Sequence, residues 1–118
     1  MRNDKPNIIA DKTIGFSLSI IKYCEVLENQ KKYIIARQLL RSATSIGANV
    51  FEAQNAESKA DFIHKMSIAL KEANETQYWL LLLRRAEYMS EEEFASLHLD
   101  IEELLRLLTS IIKTSKLK

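Results

Sequence analysis

An all-α fold, an antiparallel up-down-up-down four-helix bundle, follows from three observations on this 118-residue chain. The chain holds only 2 glycines and 1 proline, and the turns and bulges of a many-stranded sheet call for both residue types. Apolar residues recur at spacings of three and four through four long segments, the period of one helix face. Short polar stretches separate those segments, so consecutive helices must turn back on one another as antiparallel neighbours. Hydrophobic residues are 47% and charged residues 28%, the balance of a soluble globular protein, and residues 1–118 read as a single domain without repeats.

The first helix is expected over residues 6–28. Asn3 or Asp4 can cap it, and Pro6 suits a first turn, where its missing N–H is not needed. Its stripe is Ile9, Thr13, Phe16, Ile20, Tyr23 and Leu27. The second, residues 32–54, carries Ile35, Leu39, Ser42, Ile46, Asn49 and Ala53. Residues 42–49 in its middle are almost all small, which fits the close approach of a neighbouring helix and explains Gly47 in a helix interior. The third, residues 59–89, starts after Ser58, with Asp61 in the place of a capping-box acid. Its stripe is Phe62, Met66, Ala69, Ala73, Thr76, Leu80 and Leu83. The fourth, residues 91–114, opens on Ser90 and Glu93, a capping box, with Glu91, Glu92 and Glu93 at the positive end of the helix dipole. Phe94, Leu97, Ile101, Leu104, Leu108 and Ile111 form its stripe.

Residues 78–83, Tyr-Trp-Leu-Leu-Leu-Leu, are apolar on every side of the third helix. A helix apolar all round must be buried all round, which a four-helix monomer does not achieve. Trp79, Leu81, Leu82 and Leu83 are therefore assigned to an interface between copies. The run is far shorter than the ~20 residues of a membrane span. With a polar start and no signal-type apolar stretch, the chain reads as cytoplasmic and reduced. The single cysteine, Cys24, forms no intrachain disulfide and reads as a small core residue.

Catalytic patterns are weak. The two glycines, Gly15 and Gly47, lie within helices, so no glycine-rich phosphate loop exists, and no Ser or Cys is tied by spacing to a base. Neither His64 nor His98 follows a Glu by three residues, as a di-iron bundle requires. The enzyme alternative is a carboxylate-only metal site of Glu52, Glu72 and Glu75. The favoured reading is non-enzymatic, without metal, cofactor or small-molecule substrate. In it the polar residues partly facing the bundle form a network that sets helix register, with Arg41 pairing Glu72 or Glu75.

Net charge is +1, so no general attraction to polyanions follows. Lys31, Lys32, Arg84 and Arg85 gather at one end of the bundle, where residues 91–93 offset much of their field. Repetition around an oligomer would multiply that patch, which makes these four residues the candidates for contact with RNA or DNA.

Two blocks in the second and third helices carry a resemblance. Leu40-Arg-Ser-Ala-Thr-Ser-Ile-Gly-Ala-Asn-Val-Phe-Glu-Ala53 contains Ser-Ile-x-x-Asn-x-x-Glu. Ser58-Lys-Ala-Asp-Phe-Ile-His-Lys-Met-Ser-Ile-Ala69 and Lys71-Glu-Ala-Asn-Glu-Thr76 follow it in order. Together they resemble the four-helix-bundle family of proteins encoded in intervening sequences of bacterial 23S ribosomal RNA genes. The resemblance implies an antiparallel bundle assembling as a homopentamer, with no settled activity. More distantly, the chain is similar to the accessory protein of diversity-generating retroelements, a basic pentameric barrel that works with a reverse transcriptase and nucleic acid. The positions matching the family pattern are Arg41, Ser45, Asn49, Glu52, Ser67, Glu72 and Glu75, to which structural roles are assigned.

Overall fold

The computed structural model describes residues 7–118. They form α1 (Ile8–Asn29), α2 (Tyr33–Ala53), α3 (Lys59–Arg85) and α4 (Glu91–Leu117), and no strand occurs among the described residues. The expected caps Asn3 and Asp4 and the first-turn Pro6 lie outside the described residues. The cap that is described is Asn7, whose side chain accepts from the Ala10 N–H at 3.2 Å, so α1 starts two residues later than expected.

Each helix packs against its neighbours in sequence, and α1 closes the ring against α4. Cross-helix bonds fix the antiparallel directions. Cys24 donates to the Ala36 carbonyl at 3.4 Å, Thr76 to the Ser42 hydroxyl at 2.9 Å, and Gln77 to Glu102 at 3.4 Å. At one end Asn7 donates to Gln54, and Lys59 to the backbone carbonyl of Lys118.

The core follows the sequence stripes closely. Ile20, Leu27, Leu39, Ile46, Met66, Leu80, Leu83, Ile101, Leu104 and Leu108 are fully buried. On α4 the last inward residue is Ile112, while Ile111 is only half-buried, a one-residue phase drift of the 3.6 period. The small stretch of α2 does bring α1 close. A methyl added at Gly47 would stand 3.3 Å from Thr13 Cβ.

α3 ends at Arg85, four residues short of its expected limit. Glu87 adopts φ 63°, its N–H bonds the Arg84 carbonyl at 3.0 Å, and the Tyr88 N–H bonds the Leu83 carbonyl at 3.0 Å. That is a Schellman cap with glutamate where glycine is usual. α1 ends the same way: Lys31 has φ 64°, and the Lys32 N–H bonds the Leu27 carbonyl at 2.8 Å. The two caps sit side by side, with the Lys32 ammonium 4.2 Å from the centre of the Tyr88 ring. α4 begins with the full capping box of Ser90 and Glu93 and runs three residues past its expected end.

Candidate functional site

All but Ser67 of the family-pattern residues lie along the outer seam between α2 and α3. Because α2 residues 41, 45, 49 and 52 are one turn apart, they share one side of that helix. Arg41 donates through Nη1 to Glu72 at 3.3 Å and through Nη2 to Glu75. Glu75 also accepts from the Trp79 indole N–H at 2.9 Å. Further along, Lys65 donates to Glu52 at 2.9 Å, and this bond, with the Glu52 charge, raises the Lys65 pKa. Ser45 and Asn49 turn their polar groups back onto α2, bonding the carbonyls of Arg41 and Ser45 at 2.7 and 2.8 Å. Ser67 is half-buried on α3 and makes no side-chain hydrogen bond among the described residues.

Beneath the seam a buried pair ties the helices together. Thr76 gives its proton to Ser42 at 2.9 Å, and Ser42 gives its own to the Leu39 carbonyl at 3.3 Å. No buried side-chain polar atom among the described residues lacks a partner. The carboxylates of the metal alternative are not brought together: Glu52 faces Lys65, while Glu72 and Glu75 face Arg41. Among the described residues no three His, Cys, Asp or Glu side chains cluster as a metal site.

The basic end gathers Lys31, Lys32, Arg84 and Arg85 around the paired caps, and two of the four are engaged there. Lys32 covers Tyr88. Arg84 holds the α3–α4 loop, donating to the Met89 carbonyl at 3.3 Å and pairing Glu91 at 3.2 Å. Lys31 and Arg85 are exposed and form no ion pair among the described residues.

Residues 78–83 divide between core and surface. Leu80 and Leu83 are fully buried and Trp79 is half-buried, whereas Tyr78, Leu81 and Leu82 are 54%, 39% and 36% exposed. A second apolar surface, absent from the sequence reading, lies on α1 and α2. Ile14, Leu18 and Ile21 are 45%, 55% and 42% exposed and continue into an open groove of about 470 Å³ toward Phe51. Gly47 and Ala48 help line it, so the small stretch of α2 serves close packing and an open surface at once. The signal was present as a second i, i+4, i+7 apolar stripe on α1, outside the one assigned to the core.

The chain is similar to known proteins along most of its length. A family model described as 23S rRNA-intervening sequence protein matches residues 5–110. A crystal structure of a protein of unknown function from the S23 ribosomal protein family of Bacteroides thetaiotaomicron VPI-5482 is similar throughout. It is 51% identical, superposes with a TM-score of 0.88, and the match covers 89% of this chain and 98% of that one. No curated protein matches. Among the described residues no helix is long and apolar enough to cross a membrane.

Proposed function

The chain belongs to the 23S rRNA-intervening sequence protein family, and from that membership we propose that it is a non-enzymatic scaffold working as a homo-oligomer. The observation that carries this reading is the exposure of Tyr78, Leu81 and Leu82 on a helix segment that is apolar on every side. Large side chains grouped on one surface of a small bundle mark an interaction site. The polar seam supports the absence of catalysis. Its charges are spent on one another, Arg41 on Glu72 and Glu75, and Lys65 on Glu52.

Five subunits is the proposed number, following the resemblance. RNA or DNA is the partner class proposed for the basic end, where Lys31 and its neighbours would recur once per subunit.

A native mass spectrum of the protein as purified, before nuclease or chelator treatment, tests the reading. A five-fold multiple of the chain mass is the expected result, and additional mass absorbing at 260 nm would extend it to nucleic acid. A single chain carrying stoichiometric metal would overturn it in favour of carboxylate chemistry.

A further inference from the structure

α1 and α3 occupy diagonal corners of the bundle, each packed against α2 and α4 and not against each other among the described residues. Both carry the same outward spacing. On α1 the residues are Asp11, Ile14, Leu18, Ile21 and Glu25, and on α3 they are Lys71, Asn74, Tyr78, Leu81 and Arg85. Each stripe steps by three and four alternately, the repeat of a coiled-coil seam. All ten residues are exposed. Both stripes have apolar centres and charged ends, and the charges are opposite: acids on α1, bases on α3. None of Asp11, Glu25, Lys71 and Arg85 forms an ion pair among the described residues.

The stripes also match in height. Cys24 bonds Ala36, so six residues along each helix bring Leu18 level with Ser42, which bonds Thr76. Tyr78 therefore stands two residues, about 3 Å, from the level of Leu18. Two antiparallel turns separate α1 from α3, so the two helices run in the same direction. A second copy rotated about an axis parallel to the bundle keeps both height and direction. Lys71, Tyr78 and Arg85 of one copy then face Asp11, Leu18 and Glu25 of the other.

We infer that the scaffold assembles head to tail, α1 of one copy packing parallel to α3 of the next. Asp11 meets Lys71 and Glu25 meets Arg85, on either side of a centre made by Leu18, Ile21, Tyr78 and Leu81. The inference rests on the self-association proposed above and names the surfaces that carry it. A second copy is the occupant because one chain supplies both halves at matching period, height and charge. Pairing of like stripes would set acid against acid or base against base. Such a contact joins two different surfaces, so it repeats from copy to copy, as a ring where the rotation closes, rather than stopping at a two-fold dimer.

Charge reversal tests it, read by native mass spectrometry with circular dichroism confirming helicity. The double variant Lys71→Glu, Arg85→Glu is expected to run as single chains. Adding Asp11→Lys and Glu25→Lys to that same chain is expected to restore the wild-type mass, which a folding defect would not allow. A double variant that keeps the wild-type mass would overturn the α1–α3 contact and leave self-association standing. Failure of the four-fold variant to reassemble would also overturn the contact. A wild-type protein that is itself a single chain would overturn both readings.

Discussion

Tyr23 and Cys24, consecutive on α1, are the groups through which solution pH reaches the core. Burial is the main cause that pushes the Cys24 thiol up to about 11, with the Glu28 charge adding to it. Burial, then the Glu93 charge, pushes the Tyr23 phenol up to about 12. In the unfolded chain both groups ionise near 9 and 10. The folded protein thus keeps protons that the unfolded chain releases. Stability from these groups is full below about pH 9 and is lost as pH rises through their folded values. Urea midpoints at pH 8, 10 and 11 should fall in that order, and the fall should be smaller in Tyr23→Phe, Cys24→Ala. The two glycines predict opposite outcomes. Nothing lies within 4 Å of a methyl at Gly15, so Gly15→Ala should stabilise by up to about 1 kcal/mol. At Gly47 the side chain of Thr13 is already close, and Gly47→Leu should destabilise by about 1–3 kcal/mol by pushing α1 away. Thermal melts of the two variants check both.

At the scale of the element, helix ends decide more than helix interiors. α1 and α3 both stop through a non-glycine residue held at positive φ, an arrangement that costs about 1–2 kcal/mol for an L-residue. Glu87→Gly should therefore raise stability by about 1 kcal/mol in chemical denaturation, without altering the helix content seen by circular dichroism. Ser90→Ala, which removes the capping box of α4, should lower it by about 1 kcal/mol. The Arg41 network behaves differently. It is a partly exposed set of ion pairs between α2 and α3, so its net stabilisation is small.

For the whole molecule, what matters is which surfaces stay uncovered. The four helices close on a centre that is apolar apart from Thr13, Ser42 and Thr76 among the described residues, yet two outer stripes keep large side chains in water. Leu81→Arg places a charge in the middle of the α3 stripe while leaving the core untouched. It should reduce the native mass to a single chain at concentrations where the wild type is oligomeric. High salt should weaken assembly only modestly, because the charged pairs flank an apolar centre, whereas contact with nucleic acid would fall steeply with salt. Sedimentation velocity at low and high ionic strength separates the two behaviours.

The sequence by itself determined the four helices, the inward residues and the caps of α3 and α4, because period and capping chemistry are local. It also showed residues 78–83 to be apolar on every side of α3 and placed Arg41 near Glu72 and Glu75. Only the tertiary structure decided where α3 stops, because Glu87 takes a left-handed conformation that its residue type does not announce. The short turn between α2 and α3 already sets Glu52 apart in height from Glu72 and Glu75, and only the tertiary structure decided that Lys65 is its partner. The outward stripe of α1 was written in the chain from the start. Its meaning depended on finding, on a diagonal helix at the same height, a stripe of the same spacing and opposite charge, and which helices stand diagonal is decided by the packed bundle alone.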